Sequence, residues 1–346
     1  MESTEYQTVF ESTRGNKVES IHIGAFAVVN HQGGLLSSWG NPEAFTFMRS
    51  SSKPLQALPF MENNGDQHFG LTSEETAILC ASHTGTDDHV KIIAGMHKKM
   101  GLAAEMLQCG THTPSNSETW IEMNKRGEKP TPIRHMCSGK HTGMLGLALL
   151  LGSDTGTYLS MENPVQQTIL KTISEMTAYP AEKITIGIDG CSAPVFALPL
   201  RNAALGIARL CQPEELQPSR AAACKRITAA MMSHPNMVAG PRKFDTVIME
   251  QTNRKIISKA GAEGYHVLGV MPDAIKTGSP GLGIALKIAD GDAEERVRPL
   301  VIIEILRQLG VLTPVELTNL KKFSARRIFN TARLDIGEYR PTFDIK

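Results

Sequence analysis

Residues 255–271, KIISKAGAEGYHVLGVM, and 281–290, GLGIALKIAD, decide the fold. Both are short apolar runs rich in β-branched residues, with Gly and Asp at their ends. Runs of this length read as strands rather than helices, and their closeness makes them neighbours in one sheet. Residues 21–30, IHIGAFAVVN, give a third strand. After it, HQGG and LLSSWG form a hairpin around a Gly-Gly turn. A shorter apolar run, ITIGI (184–188), precedes Asp189-Gly190-Cys191. Helical periodicity fills the space between. Thr72-Ser73-Glu74-Glu75 has capping-box spacing. Thr86 caps an expected helix from Asp87 to Met100 that Gly101 closes. Further helices are expected at 138–151, 164–177, 218–233, 294–309 and 313–322. Strands near both ends with helices between them predict an α/β fold. Its mixed β-sheet is sandwiched by helices and closed by the two chain ends, with a helical subdomain. The expected organisation is a single domain over 1–346. Its sheet comes from 20–40, 184–188 and 255–330, and its helical part from roughly 45–180 and 200–250.

Composition narrows the function classes. The chain has 346 residues, a formal net charge of +1 and no Lys/Arg-rich block, so neither nucleic acid nor an anionic membrane surface is an expected partner. The longest apolar stretch, Met144 to Leu151, is far short of a membrane span. Met1 to Glu11 is acidic and polar, without the apolar core of a secretory leader. Six cysteines are too sparse for a disulfide scaffold. These features predict a cytoplasmic enzyme.

The first segment with chemistry is Phe47-Met48-Arg49-Ser50-Ser51-Ser52-Lys53-Pro54. Ser50 and Lys53 are three apart and share one helical face. Pro54 belongs in a first helical turn, which places the helix start near Ser50. A serine there lies among free N–H groups at the positive end of the helix dipole, and a lysine of lowered pKa can take its proton. Ser51 and Ser52 turn away from Lys53. The spacing also occurs by chance, so it needs company.

Cys80-Ala81-Ser82-His83-Thr84-Gly85 gathers polar residues where an apolar helix ends. Cys137-Ser138-Gly139-Lys140-His141 and Asp189-Gly190-Cys191 bring thiols beside Lys, His and Asp. They are either a metal site or buried inert thiols. Cys109, Cys211 and Cys224 have no comparable setting. Two lysines precede a Lys-x-Gly pattern. Lys259 follows the strand residues Lys255–Ser258 and is preferred, since a strand holds a side chain rigidly. Lys276 lies in a Ser-Pro-Gly loop and is set aside.

Together, Arg49–Ala57, Cys80–Gly85, Cys137–Met144 and Asp189–Pro194 stand in the order and spacing of the rhizobial-type (class 3) L-asparaginases. Lys259–Gly264 and Gly283–Lys287 fit the same pattern. The sequence resembles that family from about residue 20 to about residue 330. The resemblance implies a fold like that of serine β-lactamases and glutaminases, assembled as a homodimer. It implies hydrolysis of L-asparagine to L-aspartate and ammonia. It pairs Ser50 with Lys53 and Ser82 with Lys259, and places Arg49, His83 and Asp189 around the substrate. It also implies Zn²⁺ on Cys137, Lys140 and Cys191; the metal is expected to tune substrate affinity rather than generate the nucleophile, because Ser50 already fills that role.

The residues alone yield a Ser/Lys acyl-transfer enzyme, and the substrate comes from the resemblance. Which serine attacks stays open at this level. The rivals are a glutaminase on the same fold and a non-catalytic, metal-dependent binding protein.

Overall fold

The computed structural model describes residues 5–345. Residues 1–4 and 346, which the expected domain included, lie outside the described residues. The strands are β1 (Gln7–Arg14), β2 (Lys17–Asn30), β3 (Leu35–Trp39), β4 (Phe45–Phe47), β5 (Thr185–Ile188), β6 (Pro194–Pro199), β7 (Ile256–Ala260), β8 (Tyr265–Val270), β9 (Leu282–Ile288), β10 (Arg327–Phe329) and β11 (Asp335–Pro341). The large sheet runs β10-β11-β1-β2-β9-β8-β7, with β3 also on β2. Its pairs are antiparallel throughout, where the sequence suggested a mixed sheet. The chain ends meet in it, since Phe10 pairs with Pro341.

The sheet is covered on both faces, as expected of an α/β sandwich. On β2 the side chains alternate: Ala25, Ala27 and Val29 join one core, and Phe26 and Val28 join the other. The first core includes the Leu200–Cys211 helix and the helical part of the chain. The second includes the Val297–Gln308 helix. The Leu200–Cys211 helix approaches closely because the sheet offers it glycine. A Cβ on Gly283 would lie 1.8 Å from Ala204 O, and one on Gly269 would lie 2.2 Å from Cys211 Sγ.

Several expected helices appear with their caps. Thr72 and Thr86 both form capping boxes, and Gly101 closes the Asp87–Met100 helix in a left-handed conformation. The helices Ser138–Leu151, Pro164–Thr177 and Pro218–Ser233 match their expected ranges. The segment expected as 294–309 begins later, at Val297, because the Asp292 carboxylate accepts from Val297 N and Arg298 N (2.9 Å each). Among the described residues no helix is long and apolar enough to cross a membrane.

One strand sits elsewhere than expected. Residues 185–188 do not join the large sheet; they pair with β6 in a separate three-stranded sheet, β4-β6-β5. β4 ends at Phe47 and Met48 N donates to Phe196 O (3.0 Å), so this small sheet delivers the Arg49–Ser52 turn beside the loop after β5. The apolar run 184–188 showed a strand but not its partner, because β6 (PVFALP) begins and ends with proline and reads poorly as a strand.

The tight helix–sheet approach gives a test. Gly283→Ala should lower the denaturant midpoint, by the equivalent of about 1–3 kcal/mol or more, since neither the helix backbone nor the strand can yield locally. Equilibrium unfolding in urea checks it.

Candidate active site

Residues 49–52 form one 3-10 turn that runs into the Lys53–Glu62 helix, with Pro54 in its first turn as the sequence indicated. Arg49 adopts φ 50°, a left-handed conformation that non-glycine residues rarely hold. The three serines then diverge. Ser51 Oγ donates to Lys259 O (2.8 Å) and Ser52 Oγ to Arg49 O (2.8 Å), and both are buried. Ser50 alone of the three lines a cleft of about 420 Å³, a volume typical of small-molecule sites. The helix start offers fewer free N–H groups than expected: Ser51 N donates to Met48 O and Lys53 N to Ser50 O.

Ser82 and Lys259 line the same cleft. Lys53 lies behind its wall. The Lys53 amine donates to Ala81 O (2.6 Å), Ser82 Oγ (2.8 Å) and Cys137 Sγ (3.2 Å). Its hydrogen bonds thus go to Ser82 and not to Ser50, so Lys53 does not have the partner that the shared helical face suggested. The reason is tertiary: the chain end of the Ser73–Ile78 helix passes directly over the amine.

Lys259 is held on β7 and donates to Ala260 O (2.7 Å). Burial pushes its amine down to about 8, and the charge of Lys53 adds to this while Asp245 opposes it. The glycine of Lys259-Ala260-Gly261 has a local reason. A Cβ on Gly261 would lie 2.8 Å from Met48 O and 3.0 Å from Ser51 Oγ, so only glycine lets the serine turn dock on β7. Lys276 lies in the loop between β8 and β9 and does not line the cleft.

Behind Lys53 the thiols converge. Cys137 precedes the Ser138–Leu151 helix, Lys140 lies within its first turn, and Cys191 lies in the loop between β5 and β6. Lys140 Nζ donates to Cys191 Sγ (3.1 Å). A hydrogen bond from Cys191 pulls the Cys137 thiol well below its ordinary value, against burial, and Lys53 and Lys140 help. Burial acts to lower Lys140, yet Cys191 and Cys137 hold it above its usual value. Arg49 meets Asp189 through Nε (2.9 Å) and a second nitrogen (2.8 Å). Among the described residues no group of three or more His, Cys, Asp and Glu could hold a metal ion. A metal set here therefore depends on Lys140.

His83 does not face the cleft. It is fully buried, accepts from Gly85 N (3.1 Å) at Nδ1 and reaches Ser138 Oγ (2.9 Å) with Nε2. Burial drives it well below its ordinary value, with His89 and Lys53 adding, so it sits there neutral. Sequence reasoning missed Asp245, His266 and the 290–295 loop, all of which line the cleft. The available signal was polar Ser258 and His266 within otherwise apolar strands.

Comparison with known proteins settles the family. The L-asparaginase II family model matches residues 10–341. The chain belongs to the L-asparaginase II family. It is accordingly an amidohydrolase with a small-molecule substrate. No curated protein matches the sequence significantly. Solved structures similar to it include the Bacillus subtilis glutaminase YbgJ in covalent complex with 5-oxo-L-norleucine, at 11% identity, 87% coverage of each chain and a TM-score of 0.36. A second is a probable Bacillus subtilis glutaminase at 14% identity, 87% coverage of each chain and a TM-score of 0.34. A third is a Bacillus glutaminase crystallised in 4.3 M NaCl at 14% identity, covering 87% of this chain and 90% of that one, with a TM-score of 0.34.

Proposed function

We propose that this chain hydrolyses the side-chain amide of L-asparagine to L-aspartate and ammonia through a serine acyl-enzyme. Besides family membership, one observation carries the reading: Ser50, Ser82 and Lys259 share one cleft, with Lys53 bonded to Ser82 from behind. Ser50 Oγ attacks the amide carbon and gives its proton to the neutral Lys259 amine. The Ser82 hydroxyl protonates the departing nitrogen and is reprotonated from Lys53. Ammonia leaves, and water attacks the ester by the reverse proton path. Arg49 and Asp189 brace the serine turn from outside the cleft.

Cys137, Lys140 and Cys191 would hold Zn²⁺. Two thiols and an amine, already in mutual contact, are a borderline-soft donor set that suits this ion. When bound, it would neutralise the thiolates beside Lys53 and so tune substrate affinity. The same reading carries a homodimer in the cytoplasm; six free thiols suit a reducing compartment. Glutamine is the nearest competing substrate, because one methylene is worth only about 1–3 kcal/mol of discrimination. Steady-state rates on both amides measure that difference, and ammonia release distinguishes an enzyme from a mere binder.

Substitutions in and around the cleft test this reading. Ser50→Ala should cut turnover by roughly 10⁶-fold while leaving the fold intact, whereas Ser51→Ala and Ser52→Ala should cost far less. Lys259→Ala should abolish turnover and Lys276→Ala should leave it near wild type. An equally inactive, folded Ser51→Ala or Ser52→Ala would remove Ser50 from its role.

The pH profile should carry a limb near 8. Lys259 accepts a proton only when neutral, so kcat/KM should rise as pH passes about 8 and level off above it. A profile flat over roughly pH 6 to 10 would exclude Lys259 as the base.

Metal analysis should find stoichiometric zinc that Cys137→Ser and Cys191→Ser abolish. Chelation should raise KM and leave measurable turnover. A stripped protein that stays folded, is inactive and regains activity with zinc alone would replace the serine mechanism by metal-hydroxide hydrolysis.

A further inference from the structure

Beside Lys259 lies a buried polar cluster with no part in the reaction described so far. Asp245 stands in the first turn of the Phe244–Gln251 helix and is 4% exposed. Its Oδ1 accepts from Ser258 Oγ (2.6 Å) and lies 3.0 Å from His266 Nε2. Its Oδ2 accepts from Ala260 N (2.9 Å). Ser258 and Ala260 flank Lys259 on β7, so this carboxylate grips the strand on both sides of the lysine. The carbonyl of the Ala260 it holds is the one that receives the Lys259 amine. Both carboxylate oxygens are engaged within the protein, although the residue also borders the cleft.

A carboxylate this deeply buried needs a cation or several donors. His266 is fully buried, and burial lowers its pKa against the pull of Asp245. Charges that act on Lys259 include Asp245, Lys53 from the Lys53–Glu62 helix, Cys137 before the Ser138–Leu151 helix and Cys80 after the Ser73–Ile78 helix, and His266 from β8 is coupled to it. Glu263, Asp290, Asp292 and Glu295 line the same cleft, but Asp245 is the carboxylate bonded to the residues on both sides of Lys259. Burial pushes the Cys80 thiol up to about 12, so it brings no charge at neutral pH.

We infer that Asp245 is the positioning residue of Lys259: through Ser258 and Ala260 it fixes the strand that presents the amine, and its charge sets the pH at which the amine becomes a base. The second half rests on the reading of Lys259 as the base.

The test compares wild type with Asp245→Asn in two readouts. One is the pH dependence of kcat and KM on L-asparagine. The other is the titration of Lys259 by NMR of protein labelled with ε-¹³C-lysine, assigned with Lys259→Met. Loss of the carboxylate charge should move the Lys259 titration and the kinetic limb together to lower pH, by about one unit or more, with KM near wild type. A titration that stays in place overturns the inference. So does a KM raised by about tenfold with an unmoved limb, which would make Asp245 a substrate contact. If the wild type releases no ammonia from any amide, the catalytic reading fails, and the NMR titration alone still decides the role of Asp245. Should Asp245→Asn not fold, Asp245→Glu takes its place, since it keeps the charge and displaces the bonds to Ser258 and Ala260. The Lys259 titration should then stay within about half a unit of wild type while kcat falls; a titration moved by about one unit or more with kcat unchanged overturns the inference.

Discussion

The site depends on where three hydrogen bonds of one buried amine go. Lys53 joins the start of its own helix to the residues after the Ser73–Ile78 helix and to the residue that caps Ser138–Leu151. An ammonium has three N–H donors, and here all three are used. A neutral amine has two donors and one lone pair, and the lone pair must then face the Ser82 hydroxyl, since Ala81 O offers only acceptance. Either way the amine has no bond left for Ser50. The two lysines are thereby divided: one is saturated inside the wall, and the other sits in the cleft wall.

That division is stable because opposite charges are packed in layers. Lys53 and Lys140 lie against two thiols, and Asp245 is bonded to the residues on both sides of Lys259, whose amine its charge favours. Removing any member leaves its neighbour buried and uncompensated, which costs more than the pair contributes. The turn of residues 49–52 adds local strain at Arg49, and the strain is held by the Asp189 ion pair outside and by the Ser51 bond to β7 inside. The serine that remains free is the one that no other group claims.

Much of this was legible in the sequence. Caps at Thr72, Thr86 and Gly101 act over three or four residues, so their helices were readable locally. Pro54 located the serine turn, and its place on a strand before Ala260-Gly261 marked Lys259. Partners distant in sequence were not readable. Nothing around Ser82 says that Lys53 passes beneath it, and nothing around Phe244 says that Asp245 meets β7. β1 and β11 were missed because QTVFESTR and DIGEYRP mix polar and charged residues, as strands near a sheet edge do. His83 was placed around the substrate by resemblance alone, and its local sequence does not say that its ring is used between Gly85 N and Ser138.

The strand order has a consequence for synthesis. β2 is flanked in the large sheet by β1 and by β9, so Asn30 finds its partner Leu282 only after most of the chain has been made. Until then the nascent β1–β2–β3 ribbon carries an open ladder edge along the continuous apolar run Ala25–Val29. Contacts so far apart close slowly, and an unpaired edge invites pairing with another chain. The helices between pack largely on one another and can collapse while they wait. The lysine on β7 is likewise delivered late, with the strands that close the sheet on β2, so the cleft it lines takes shape only after β9 has paired.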